Sequence, residues 1–203
     1  RLLHNMLSSQ PMCINLFGPM VADLDLATAV FRELVPDEID RVTHVDIEYA
    51  PDPKEEFLDD RTAFDAFVEF DRADGRRGFV GIETKLTEPF SRKTYDGKAY
   101  RRWVERADSP WPKESWSPPE RLAHIRRNQL WRDHLLAVAI LRHPQSPYES
   151  GCLMLVRHPL DEQCEGAVNS YRRLLKPDDS TFLDCPLDRL VAVIDECARR
   201  THG

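Results

Sequence analysis

Apolar positions recur along this chain at distinct spacings, and each spacing predicts an element. From Leu7 to about Leu34 the period is helical, with Leu16, Met20, Leu24 and Ala27 in step and Gly18-Pro19 as an interruption, which predicts one or two helices ending near Pro36. Thr43 to Tyr49 alternates and predicts a strand with Val45, Ile47 and Tyr49 on one face. Asp52 to Asp60 is a polar connector. Two apolar runs follow, Thr62 to Phe70 and Gly78 to Leu86, with Asp74-Gly75 between them as a hairpin-turn dipeptide. From Pro89 to Pro119 no period is sustained, and the stretch carries several prolines with Trp103, Trp111 and Trp116; such long excursions are usually functional or mobile. Pro118-Pro119-Glu120 opens the clearest helix, to about Leu141, with Leu122, Ile125, Leu130, Leu136 and Ala137 on its buried surface. Cys152 to Val156 is an apolar run of strand length, Leu160 to Leu175 reads as a helix stopped by Lys176-Pro177, and Pro186 to Arg199 reads as a final helix.

The order α-β-β-β-α-β-α suits an α/β sandwich in which helices flank a mixed central sheet. With 203 residues, no repeat and no separating linker, the chain is expected to form one domain over 1–203, with a Pro/Trp/Arg-rich excursion at 89–119. No apolar run reaches the length of a membrane span. Arg1 to Asn5 does not look like a signal peptide, and the missing Met implies a chain that starts earlier. Five cysteines, with no Cys-x-x-Cys pair, predict buried or free thiols and a reducing, cytoplasmic setting.

The hairpin carries the chemistry. Folding about Asp74-Gly75 brings Asp65 beside Glu83 or Thr84, and Glu83 and Lys85, two apart on one strand, point the same way. Two carboxylates side by side repel, and a strand rich in Phe, Val and Ile is a costly place for charge; a divalent cation compensates both. Mg²⁺ takes a few carboxylate oxygens and leaves its other positions to water and phosphate. The Thr84 carbonyl offers one more oxygen, and Lys85 can reach a phosphate or an attacking water. The same residues also suit a solvated cross-strand salt bridge.

An acid on one strand, a hairpin, and an apolar strand ending in Glu83-Thr84-Lys85 resemble the PD-(D/E)XK nuclease superfamily, the restriction-endonuclease-like fold. Ser8-Ser9-Gln10-Pro11, Asn15 to Pro19, Phe79 to Pro89 and Asn128 to Arg132 are similar to a branch of uncharacterised bacterial members, a likeness that covers about Leu7 to Ala139. The literal Pro51-Asp52 has no hairpin partner, so the first acid of the motif falls on Asp65 although Phe64 precedes it. The resemblance implies a Mg²⁺-dependent DNA endonuclease, with Mn²⁺ able to substitute, Asp65 and Glu83 binding metal with Thr84, and Lys85 acting on the water or the developing charge. It makes Gln129, on the following helix, the next candidate, as a residue that orients the lysine or the phosphate. A non-catalytic module on the same scaffold and a nuclease acting on RNA are the alternatives, and a homodimer is left open.

The net charge of −7 is unevenly spread. From Ser91 to Arg132 eleven basic residues face five acidic ones, a local surplus of +6 against −13 elsewhere. A basic stretch after the metal strand is where a phosphate backbone needs it, or else it is a solvated surface. Arg101, Arg102, Arg126 and Arg132 are the candidate nucleic-acid contacts. Arg132 and Asp133 lie three and four residues beyond Gln129, on adjacent helix faces. Many superfamily members place a metal-site glutamate on the first helix; here Gln10 and Asn15 stand in that region, so Glu48 with water, or the amides, are left to complete the shell. The seven His residues show no short metal spacing and read as structural or solvated.

Overall fold

Three antiparallel strands, β1 (Ile39–Tyr49), β2 (Phe64–Arg72) and β3 (Arg77–Lys85), form the meander that the hairpin predicts. They belong to a computed structural model that describes residues 8–35, 39–91, 98–116, 122 and 128–202. Gly75, at φ 80°, takes the left-handed position of the turn, and Asp74 holds the return by accepting hydrogen bonds from Arg76 N (3.1 Å) and Nε (2.8 Å). Ala66 pairs with Ile82 and Asp71 with Arg77, a register in which the next position beyond Ala66 is Asp65 and the next beyond Ile82 is Glu83, outside the paired ladder. β4 (Ser150–Arg157) joins parallel to β3, and β5 (Phe182–Pro186) parallel to β4, giving a mixed sheet in the order β1-β2-β3-β4-β5. The fifth strand was not anticipated. It is five residues long and only two of its side chains are buried, too short to show a period.

Helices cover both faces. α1 (Ser9–Ala22), α2 (Leu24–Leu34) and α7 (Leu187–His202) pack on one side, where Phe17, Met20, Phe31, Val68, Ile82, Met154 and Leu190 are buried. α3 (Lys98–Val104), the one-turn α4 (Lys113–Trp116), α5 (Asn128–Leu141) and α6 (Glu162–Arg172) lie on the other, over Phe64, Phe67, Phe79, Leu153 and Leu155. Parallel strands need crossovers, and α5 and α6 supply them, which is why β3 and β4 are buried along nearly their whole length.

Several expectations change. α1 runs through Gly18-Pro19, because Phe17 and Met20 on either side of the proline are fully buried and hold the helix on the sheet. The break falls at Asp23, whose carboxylate caps α2 by accepting from Leu26 N at 2.9 Å. Tyr49 does not share a face with Val45 and Ile47; it stacks on Phe67, centroids 3.9 Å apart, on the opposite side of the sheet. The excursion at 89–119 is packed where it is described, since Tyr100, Trp103, Val104 and Trp111 are all buried in the core of the α5 side. The expected start of the long helix at Pro118 lies outside the described residues. All five cysteines are free thiols and buried, and no single helix among the described residues is long and apolar enough to cross a membrane.

His134, at the middle of α5, is a satisfied core histidine. Its two ring nitrogens lie 2.7 Å from Tyr171 Oη and 2.7 Å from Thr181 Oγ1, which tie α5 to α6 and to the approach to β5. Burial holds its imidazole down, to about 4 from an ordinary 6.5. The unfolded chain therefore takes up a proton that the folded state refuses, so the stability that His134 contributes is present above pH 6.5 and is lost as pH falls toward 4. Urea unfolding of the wild type and of His134→Gln between pH 7 and 4 should show the wild type losing on the order of 3 kcal/mol relative to the variant; a constant difference across that range would contradict the buried neutral imidazole.

Candidate active site

The antiparallel ladder between β2 and β3 ends at Ala66 and Ile82, but β3 continues beside β4, with Glu83, Thr84 and Lys85 paired to Leu155, Val156 and Arg157. The last three residues of β3 therefore keep one strand neighbour and lose the other. Asp65 fills the gap. Its Oδ2 accepts from Thr84 N at 2.8 Å and from Thr84 Oγ1 at 2.6 Å, so the side chain stands in for the missing backbone acceptor.

Asp65 reaches that position because β2 switches faces there. Ala66 belongs to the α1 side of the core and Phe64 to the α5 side, with a single residue between them, so strict alternation fails at Asp65. β1 switches in the same place: Ile47 and Tyr49 fall on opposite sides, and Glu48 between them lies opposite Asp65 in a left-handed backbone conformation, φ 62°. For a residue other than glycine this conformation typically costs about 1–3 kcal/mol. Gly81 makes room for the shifted ring of Phe64, since a Cβ there would lie 2.6 Å from it. In consequence Asp65 is turned into the plane of the sheet beside Thr84. It does not stand squarely on one face with Glu83 and Lys85, as alternation alone had implied.

Glu83 and Lys85 face α5 and are almost wholly enclosed, 5% and 7% exposed. Lys85 Nζ lies 3.0 Å from Glu83 Oε1, and Gln129 Nε2 donates to the same oxygen at 2.7 Å. Gln129 is itself fixed from behind, because its Oε1 accepts from Ser91 N at 2.9 Å. The segment after β3 also lays Phe90 beside the lysine, with the ammonium 5.5 Å from the ring centroid. Burial pushes the Glu83 carboxyl up to about 7, against the downward pull of Lys85, and Asp65 adds to the rise. For Lys85 burial works against the charge, yet Glu83, Asp133 and Asp65 together raise it above its ordinary value.

α1 closes the other side. Thr84 Oγ1 reaches Ser9 O at 3.3 Å, and Cys13 Sγ donates to the Asp65 carbonyl at 3.4 Å. The Cys13 thiol is pushed up to about 12 by burial and by Asp65, Glu83 and Glu48, so it stays protonated. Glu88 binds the amides of Ser9, Leu86 and Thr87 at the start of α1; these bonds hold its carboxyl below the usual range despite partial burial. Gln10 Nε2 donates to Glu48 Oε1, so two weak sequence candidates meet each other beside Asp65.

The remaining candidates separate. Arg132, on α5, is a positive charge that favours the ionised form of Glu83. Arg102 is spent elsewhere: it donates to the carbonyls of Glu56 and Phe57 and stacks over Trp103. Arg101 is exposed on α3 and makes none of the contacts that define the site. Arg126 lies outside the described residues. The sequence placed Asp133 near Gln129 but gave it no role; it is 2% exposed and feels the charges of Glu83, Arg132, Lys85 and Asp65. Its four-residue spacing from Gln129 was the available signal.

Among the described residues no group of three His, Cys, Asp or Glu side chains is gathered to hold a metal unaided. The donor set nevertheless fits a hard cation. Glu83 Oε2 and Asp65 Oδ1 receive no hydrogen bond from the described residues, their partner oxygens having taken the protein donors. Mg²⁺ is commonly held by one or two carboxylates with water and phosphate completing its shell.

The rise of Glu83 makes a pH test of the metal-free protein. Its folded value exceeds the ordinary 4.5, so its contribution is most favourable below pH 4.5 and is lost as pH rises through about 7. Relative to Glu83→Gln, which cannot ionise, the wild type should lose stability across that window in chelator-treated samples. Parallel curves would mean that Glu83 is ionised throughout.

Comparison with curated proteins yields no match. A family model does match, over residues 1–203, which is the entire chain, and it describes the PD-(D/E)XK nuclease superfamily. The mixed five-stranded sheet with helices on both faces is consistent with that fold, and the chain belongs to the PD-(D/E)XK nuclease superfamily.

Proposed function

We propose that this protein is a divalent-metal-dependent endonuclease acting on DNA, with Asp65, Glu83 and Lys85 as its reacting centre. The observation that supports it most directly is the enclosed Glu83–Lys85 pair, held by Gln129 at a strand end beside Asp65, each acid with one oxygen that receives no hydrogen bond from the described residues. A purely structural ion pair gains little from such burial, because desolvation offsets much of the attraction. Strongly perturbed acids clustered with a charged partner are a mark of functional sites.

Asp65 and Glu83 would hold Mg²⁺, or Mn²⁺ in its place, with the Thr84 carbonyl as a further donor. A cation bound there supplies Lewis acidity toward a phosphodiester and eases deprotonation of water. Thr84 keeps Asp65 oriented through two hydrogen bonds, and Gln129 keeps Glu83 oriented through one. Lys85 presents its ammonium to the oxygen charge that grows as the water oxygen bonds to phosphorus and the bond to the leaving ester oxygen breaks. The attacking water gives up a proton to solvent, and the leaving oxygen takes one up from solvent. Arg132, whose charge acts on Glu83, would bind a phosphate of the backbone, and the basic surplus between Ser91 and Arg132 would attract the polyanion.

The test is cleavage of duplex, flap and single-stranded DNA, and of RNA, with and without Mg²⁺. Wild type should cleave DNA only with the divalent ion. Lys85→Ala should lower the rate by at least about 10²-fold, the typical loss for one group that stabilises developing charge, while retaining Mn²⁺ binding. Asp65→Ala should instead weaken Mn²⁺ binding itself. Equal rates for wild type and Lys85→Ala would refute the assigned chemistry and favour a binding module, and cleavage confined to RNA would move the substrate class.

A further inference from the structure

Asp133 has no part in the scheme above, yet it is the most deeply buried carboxyl near the centre. It follows Gln129 by four residues, so it lies one turn along the same face of α5 that meets Glu83. Its Oδ2 is buried and has no hydrogen-bond partner among the described residues. Two other buried ionisable groups are fully satisfied: Arg157 binds both oxygens of Asp184 at 2.8 and 3.2 Å, and His134 has a partner on each nitrogen. A buried carboxyl oxygen with nothing to accept is costly, and it calls for a state of the protein in which it is used.

The lysine has the complementary problem. Glu83 Oε1 is shared by Lys85 and Gln129, so a cation drawn to Glu83 meets an ammonium already attached to it. Like charges in an enclosed site repel strongly, and an ammonium released from Glu83 cannot remain buried unpaired. It must leave the site or find a second acid. Lys85 senses the charge of Asp133, as Asp133 senses that of Lys85.

We infer that Asp133 is a positioning residue for Lys85: when a divalent cation occupies Glu83, the lysine ammonium passes from Glu83 to Asp133 Oδ2, and so stays in the centre instead of blocking the metal or withdrawing. The inference rests on the nuclease reading. It gives the unpaired oxygen a partner in the metal-loaded state and explains how one carboxylate can serve both a lysine and a metal.

The test is a double-mutant cycle in Mn²⁺ affinity, measured by calorimetry on the full chain: wild type, Asp133→Asn, Lys85→Met, and the two together. Asp133→Asn should weaken Mn²⁺ about tenfold when Lys85 is present and by less than about twofold when it is methionine, since no ammonium then needs an acceptor. An equal loss in both backgrounds would show that Asp133 acts through its own charge, and no loss in either would show that it does not act on the site; both overturn the inference. Failure of the wild type to bind Mn²⁺ at all would overturn the metal-site reading, and this inference with it. Should Asp133→Asn not fold, a crystal of the wild type soaked in Mn²⁺ decides the matter. Lys85 Nζ within about 3.2 Å of the Asp133 carboxylate supports the transfer, and Lys85 still on Glu83 with the ion bound refutes it.

Discussion

The enclosed carboxylate of Glu83 is the constraint around which this site is built. A carboxylate removed from water at the end of an apolar strand is unstable unless every neighbour answers it. Three elements do so here: Lys85 comes from the same strand, Gln129 from α5, and the Ser91 amide fixes Gln129 from behind. The charge stays imperfectly compensated all the same, and burial still lifts the carboxyl to about 7. Such a group is poorly suited to holding a fold together and well suited to receiving a cation.

The second feature is a local failure of alternation shared by two adjacent strands. Glu48 and Asp65 are register partners, and at both the strand passes from one side of the sheet to the other within two residues. Places where regular structure breaks with a backbone cost are often functional, because nothing in the packing alone would retain them. The result is an acid directed at the Thr84 amide, where the ladder of β3 has run out of partners.

α5 shows how neighbouring residues divide between structure and chemistry. His134 is tied into the core by Tyr171 and Thr181, and it anchors the helix against α6 and the β5 approach. Asp133, immediately before it, is equally buried and has an oxygen without a hydrogen-bond partner among the described residues, close to the charges of the site. The rigidity that His134 gives to α5 is what allows Gln129 and Asp133 to be placed with precision over β3.

The sequence by itself determined the elements whose signals are local: the alternating strands, the Asp74-Gly75 turn, the long helices, and the Glu-Thr-Lys triplet with Lys85 and Glu83 on one side of a strand. Those features depend on residues within a few positions of one another, so period and turn chemistry suffice to read them. Only the tertiary structure decided the rest. β5 was too short to show a period and exists because β4 offers it an edge. The tryptophans of the 89–119 excursion read as loop residues until α5 gave them a surface to bury against. Asp65 left the face assigned by alternation because the end of the β2–β3 ladder exposed an amide that its carboxylate could take. The spacing from Gln129 set only the helix face of Asp133; that this face meets Glu83 was decided by α5 crossing back over β3, a contact between residues about fifty positions apart.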